Sequence, residues 1–156
     1  MMSPKIILGI GNPLGGDDNI GPYVIRRLQK RVKEVRRQDI TAIDAGSAPE
    51  GYTSVIRQHR PEQLILVDAA DMGLPPGSIR LLSPDKVKTV SFSTHSMPLS
   101  ALISYVQKFC GQVHIIGIQP ERTEVGDRLS EPVQKTGERV SELILDDRLQ
   151  EISVLE

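Results

Sequence analysis

The chain has 156 residues, with 19 lysines and arginines against 20 aspartates and glutamates. This length is typical of one domain with a substantial hydrophobic core, and we expect residues 1–156 to form a single domain. The near balance of charge argues against a general nucleic-acid-binding protein, which would be strongly basic. No segment approaches the roughly 20 apolar residues that a membrane span requires, so we expect no membrane insertion.

The amino-terminal segment and the single cysteine indicate a compartment. The first residues, MMSPKIILGIGNP, lead directly into a predicted strand without the basic segment and long apolar run of a signal peptide. Cys110 has no second cysteine with which to form an intrachain disulfide, which fits a reducing environment. We therefore expect a cytoplasmic protein. The sequence does not fix the oligomeric state, and a monomer is the favoured expectation.

The first third of the chain predicts a strand, a glycine-rich loop and a helix. Residues 5–10 (KIILGI) are too short and too apolar for a surface helix and indicate a buried strand. A helix follows near Pro22, and its apolar face comprises Val24, Ile25, Leu28, Val32 and Val35. Its opposite face is basic and carries Arg26, Arg27, Lys30, Arg31, Lys33, Arg36 and Arg37. A basic face is usually just solvated, but it can also dock an acidic partner.

The remaining elements alternate between strands and helices. Strands are predicted at residues 39–44, 63–67, 78–82 and 112–118. Helices are predicted at residues 52–58, after Pro98 with Gly111 just beyond its end, and after a capping Ser130. Residues 83–94 are expected to form a polar loop. The link between residues 68 and 78 is too short for a parallel crossover, so the fourth strand should run antiparallel at a sheet edge.

This alternation predicts an α/β fold. We expect a three-layer sandwich with a mostly parallel, twisted five-stranded sheet, helices on both faces and one antiparallel edge strand. In such sheets ligands bind beyond the carboxyl ends of the strands. Several polar residues follow strand ends or lie in the loop that returns to the sheet: Asp17, Asp18, Asp44, Asp68, Asp71 and His95. Their convergence on one rim is the main argument from the residues for a functional site.

A divalent cation is the ligand that suits such a rim. Asp18, Asp68 and His95 would supply oxygen and imidazole donors to a borderline ion such as nickel or zinc. Asp17, Asp44 and Asp71 compete with them as alternative oxygen donors. Each of these residues also has a structural interpretation, because an aspartate at a strand end often caps a helix or closes a turn.

Other chemistries fit the sequence less well. Cys110 has no basic neighbour that would lower its pKa, and we interpret it as buried filler. There is no G-x-S-x-G nucleophile elbow, no complete dinucleotide-binding fingerprint and no Gly-Lys-Ser/Thr phosphate loop. A phospho-acceptor signalling domain also places paired acids after its first strand. It would need a lysine after the fifth strand, where this chain has residues 117–120, GIQP.

Five sequence blocks carry a family resemblance: GIGNPLGGDDNIG, IDAGSAPE, LILVDAADMG, STHSMPL and GIQPE, in this order. Together they resemble the hydrogenase maturation endopeptidases, and most closely the branch that processes the large subunit of hydrogenase 3-type nickel–iron enzymes. The resemblance runs from about residue 6 to residue 120, and more loosely through the last helix. This family commonly has glycine directly after its acid pair, where Asn19 stands here. We expect the turn to survive, because asparagine tolerates left-handed backbone angles.

The resemblance implies a function and a site. It implies an α/β endopeptidase that removes a short C-terminal extension from the large-subunit precursor after nickel has been inserted. The precursor would hold the nickel, and the enzyme would contact it through Asp18, Asp68 and His95. Neither a serine nor a cysteine nucleophile is required. A second hypothesis is a metal-dependent docking or checkpoint module that binds the precursor without cutting it.

Overall fold

A mixed six-stranded sheet forms the centre of the molecule. The structure is a computed structural model that describes residues 4–93, 98–121, 126 and 128–156. The strands are β1 (Lys5–Ile10), β2 (Ile40–Gly46), β3 (Gln63–Asp71), β4 (Ile79–Leu82), β5 (Ser91–Phe92) and β6 (Gln112–Ile118). Five of them lie side by side in the order β2-β1-β3-β6-β4, and β5 pairs with β3 outside this order. The helices are α1 (Ile20–Glu34), α2 (Thr53–His59), α3 (Pro84–Val87), α4 (Leu99–Val106) and α5 (Glu131–Leu145).

Helices cover both faces of the sheet, as the sequence predicts. The face that presents Ile7, Ile65 and Ile116 forms one hydrophobic core with buried residues of α1 and α5. The opposite face, with Leu8 and Leu66, packs against α2 and α4. Strands buried on both faces need continuous apolar runs, and this is why β1 and β3 lack a polar–apolar alternation. The predicted three-layer α/β sandwich is confirmed.

The sheet differs from the prediction in its strand count. The four strands β1, β2, β3 and β6 are parallel neighbours. The antiparallel edge strand β4 has the predicted direction and position, and its hydrogen-bonded partner is β6. The sixth strand, β5, lies inside the predicted polar loop and pairs antiparallel with Ala70 and Asp71 of β3. Two residues are too few to leave a periodic signal, so the sequence did not reveal this strand.

Some local expectations were wrong. Val35 lies beyond the end of α1 and is 44% exposed, so it is not part of the apolar face. Helix α4 ends at Val106, and Gly111 does not cap it. Instead, a Cβ atom on Gly111 would lie 2.7 Å from the carbonyl oxygen of Glu62, so the glycine permits a close backbone approach. Among the described residues, no helix is long and apolar enough to cross a membrane.

The contact between β1, β3 and α1 depends on Gly21. A Cβ atom there would lie 2.2 Å from the carbonyl oxygen of Ile10 and 2.6 Å from that of Val67. Both atoms are backbone and cannot give way by a change of rotamer. We therefore expect Gly21→Ala to lower the free energy of unfolding by about 3 kcal/mol in a urea titration. Gly51→Ala is the matched control, because a Cβ atom on Gly51 would have no neighbour within 4 Å. Equal stability of the two variants would contradict this interpretation.

Candidate active site

Asp68 is a fully buried carboxylate in β3. The strand continues to Asp71, four residues further than predicted, because β5 pairs with its last residues. The backbone N–H of Ser93 donates to Asp68 Oδ2 at 3.1 Å, and the Ser93 hydroxyl donates to Oδ1. Burial raises the pKa of Asp68 well above its ordinary value, and the Asp18 carboxylate raises it further, although the bonds from Ser93 act in the opposite direction. Asp68 is therefore a carboxyl group that holds its proton more tightly than an ordinary aspartate does.

Asp18 lies close enough to Asp68 to influence its ionisation electrostatically. It belongs to a 3₁₀ turn, Gly16–Asn19, that joins the glycine-rich loop to α1. Its partly exposed side chain lines a cavity of about 330 Å³ together with Ala69, Asp71 and Glu121. The predicted convergence of Asp18 and Asp68 is thus present: Asp18 lines the cavity, and Asp68 lies buried beside it.

Asp17 has a structural role instead. It is fully buried, and its Oδ1 accepts the backbone N–H of Ser130 at 2.7 Å. Its Oδ2 accepts the Ser130 hydroxyl at 2.7 Å and the backbone N–H of Glu121 at 2.8 Å. The carboxylate therefore ties the first loop to the end of β6 and to the start of α5. Ser130 occupies the N-cap position of α5, but its hydroxyl makes no capping bond, contrary to the prediction.

The other two candidate oxygen donors make local turn contacts. Asp44 is exposed and accepts the backbone N–H of Gly46 at 3.0 Å. Asp71 is exposed, accepts the backbone N–H of Gly73 at 3.3 Å, and lines the same cavity as Asp18. Asp71 therefore remains beside the site, whereas Asp44 does not line this cavity.

His95 lies outside the described residues, so its predicted place in the site stays a prediction. The nearest described residue before it is Ser93, which contacts Asp68 directly. Within the described segments, no group of three or more His, Cys, Asp and Glu side chains is arranged to hold a metal ion. That search does not include His95, the third member of the predicted set.

Asn19 fits the turn for a different reason from the one expected. Its backbone angles are φ −89° and ψ 9°, so the position requires no left-handed conformation. Any L-residue can adopt these angles without strain of the kind that favours glycine. The departure from the family pattern at this position therefore leaves the turn intact.

Sequence reasoning missed two residues that shape the site. Ser93 donates both its backbone N–H and its side-chain hydroxyl to the Asp68 carboxylate. Gln119 is buried, and its Oε1 accepts the backbone N–H of Met72 at 2.7 Å, while its Nε2 donates to Asp71 at 3.2 Å. Gln119 directly follows a predicted strand, and Ser93 lies in the polar loop before a predicted helix. The sequence gives no sign of the residues that either side chain contacts.

Comparisons with known proteins point in one direction. A family model described as hydrogenase maturation protease matches residues 22–147. The hydrogenase 3 maturation protease of Escherichia coli strain K12 is 37% identical over 136 residues, which cover 86% of this chain and 85% of that protein. A putative hydrogenase maturation protease of Methanocaldococcus jannaschii is 31% identical over 146 residues, covering 90% of this chain and 86% of that protein.

Solved structures agree in fold. A crystal structure of the hydrogenase 3 maturation protease superposes with a TM-score of 0.85 at 33% identity, covering 99% of this chain and 97% of that one. The solution structure of HycI, an endopeptidase from Escherichia coli, superposes with a TM-score of 0.81 at 32% identity, covering 98% and 97%.

The fold and the site thus define an α/β sandwich enzyme with carboxylates gathered at the carboxyl ends of its parallel strands. The chain belongs to the hydrogenase maturation protease family, and its activity is that of an endopeptidase in hydrogenase maturation. The predicted resemblance is confirmed.

Proposed function

We propose that this enzyme removes the C-terminal extension from the nickel-loaded large-subunit precursor of a nickel–iron hydrogenase. The observation that supports the proposal is the pairing of Asp18, which lines the cavity, with the buried Asp68, in a chain of this family. Two neighbouring carboxylates, one fully buried, are unfavourable without a cation and favourable with one. A cation carried by the substrate would stabilise the pair only when the correct substrate is bound.

In this proposal Asp18, Asp68 and His95 complete the coordination of the nickel held by the precursor. Carboxylate oxygens and an imidazole nitrogen suit such a borderline divalent ion. Ser93 contacts Asp68, and His95 follows it two positions further along the chain, a step of at most about 7 Å. The place of His95 in the sequence, close to the serine that contacts Asp68, supports its assignment as the third contact.

The bond-breaking step is proposed to use carboxylate chemistry. The substrate's metal would orient the peptide bond, and a carboxylate would serve as general base for water. A thiol mechanism is disfavoured because burial raises the pKa of Cys110. Cys110 also lies before the start of β6, which begins at Gln112. Asp68 pairs with Gly117 near the other end of that strand, five residues or roughly 16 Å further along the sheet.

The experiment mixes the purified enzyme with nickel-loaded and nickel-free precursor and measures the precursor mass. We expect the nickel-loaded precursor to become shorter and the nickel-free precursor to keep its full length. The alternative function, a docking or checkpoint module, predicts a complex with unshortened precursor. Shortening of both forms at equal rates would contradict the role of nickel while leaving the endopeptidase activity in place.

The basic face of α1 is proposed to assist the encounter with the precursor. Arg31 and Arg37 are already engaged in the fold, through Glu142 and Asp39 respectively. Arg26 and Lys30 are exposed on this helix, which begins two residues after Asp18. We expect Arg26→Glu with Lys30→Glu to slow association several-fold at low salt, with the difference vanishing at high salt. An unchanged association rate in stopped-flow measurements at low salt would show that this face is solvated and does not contact the precursor.

A further inference from the structure

The loop before the acid pair presents an unusually exposed apolar side chain. Leu14 is 64% exposed, more than the other large hydrophobic residues with high exposure among those described, Val35, Tyr105 and Val154. Its neighbours Asn12 and Pro13 are exposed as well. A single exposed leucine on a protein surface needs no explanation. The surroundings of this one give it a specific position and orientation.

The backbone on both sides of Leu14 is fixed by hydrogen bonds. The Leu14 N–H donates to Asn12 Oδ1 at 3.1 Å, and the Leu14 carbonyl accepts the N–H of Gly126 at 2.8 Å. The N–H of Gly16 in turn donates to the carbonyl of Gly126 at 3.0 Å. These bonds join the loop to Gly126, so the backbone that carries the exposed Leu14 side chain is held in place. An ordered apolar group loses less conformational entropy on binding than a mobile one.

The same loop is hydrogen-bonded directly to the 3₁₀ turn that carries Asp18. The N–H of Asn12 donates to the carbonyl of Asp18 at 3.1 Å, and the N–H of Asp18 donates to the carbonyl of Gly15 at 3.0 Å. A Cβ atom on Gly15 would lie 3.0 Å from the Cβ of Asp18. Leu14 therefore keeps a fixed relation to the carboxylate that lines the cavity. Asp71 and Glu121 line the same cavity as Asp18, so its lining is acidic.

We propose that Leu14 is a docking residue for an apolar side chain of the hydrogenase large-subunit precursor, at the rim of the site and outside the reacting atoms. This inference rests on the proposed function, since it takes the precursor as the partner. Covering the side chain removes apolar area from water and so contributes to binding rather than to the chemical step. The loss of Leu14 should accordingly raise KM and leave kcat unchanged.

The test compares the cleavage kinetics of the nickel-loaded precursor among four enzymes: wild type, Leu14→Ser, Leu14→Met and Val35→Ser. Leu14→Ser is expected to raise KM by about tenfold with kcat unchanged. Leu14→Met should behave as wild type, because it preserves apolar volume. Val35→Ser is the matched control: Val35 is exposed too, but it follows the end of α1, the helix that leads away from the site.

A binding measurement separates failure of this inference from failure of the proposed function. Leu14→Ser is combined with Asp68→Asn, and its affinity for intact precursor is compared with that of Asp68→Asn alone. We expect about tenfold weaker binding from the loss of Leu14. Equal affinities, or a fall in kcat at constant KM, would overturn the docking role. Absence of cleavage by the wild-type enzyme would instead count against the proposed function.

Discussion

Asp68→Asn is expected to lower the rate of precursor processing by at least about a hundredfold, as for loss of a metal contact, while thermal stability stays unchanged or rises. The substitution keeps the shape of the side chain and removes a carboxylate that is fully buried near Asp18. An asparagine Oδ1 can still accept the backbone N–H of Ser93, and its amide can donate to the Ser93 hydroxyl. Both hydrogen bonds with Ser93 can therefore be kept, whereas the proposed metal contact loses its charge.

The pH dependence of stability provides a second readout for Asp68→Asn. Because the pKa of Asp68 is raised in the folded protein, the folded state binds more protons than the unfolded state between the ordinary and the raised pKa. The free energy of unfolding contributed by this group therefore falls as pH rises through that window. The variant should lack this decline when urea unfolding is followed across pH. A variant that is destabilised but active would contradict the assignment of Asp68 to the site.

The same substitution at the two adjacent acids is expected to have opposite effects. Asp17→Asn should lower the free energy of unfolding by about 2–3 kcal/mol, because a buried carboxylate with three donors becomes an amide facing those donors. Asp18→Asn should leave stability within about 0.5 kcal/mol, as for most substitutions of partly exposed side chains. It should, however, reduce processing by about a hundredfold, as for loss of a metal contact.

Urea unfolding and a precursor-cleavage assay, run on both variants, measure this contrast. Activity of Asp17→Asn is measured at a temperature at which the variant remains folded, so that loss of fold is not mistaken for loss of catalysis. If Asp17→Asn were stable and inactive, while Asp18→Asn remained active, the two acids would have exchanged roles. The assignment of Asp18 to the site would then be wrong.

Much of the fold could be predicted because its central strands carry strong local signals. Strands β1 and β6 have the bounds that their apolar runs predict. The antiparallel direction of β4 follows from the length of one connection. The end of β3 could not be predicted in this way, because its last two residues, Ala70 and Asp71, are held by pairing with β5. That pairing is tertiary and leaves no periodic pattern in either segment.

The site was predictable in its location but only partly in its roles. Strand order brings Asp18 and Asp68 to the same end of the sheet, and the sequence resemblance singles them out among the competing acids. Composition gives no means of separating Asp17 from Asp18. Their roles differ because Ser130, 113 residues along the chain, donates to Asp17. Contact with Asp17 also explains why the predicted cap at Ser130 is absent, because the Ser130 hydroxyl donates to Asp17 instead.

The central claim is that one divalent ion is shared by the carboxylates of Asp18 and Asp68 and by His95. A crystal of the enzyme soaked in nickel, with anomalous scattering recorded at the nickel absorption edge, tests it most directly. We predict one anomalous peak within coordination distance of oxygens from both carboxylates, with the His95 imidazole as the third protein ligand. A peak on Asp44 or Asp71 instead, with none between Asp18 and Asp68, would contradict the claim.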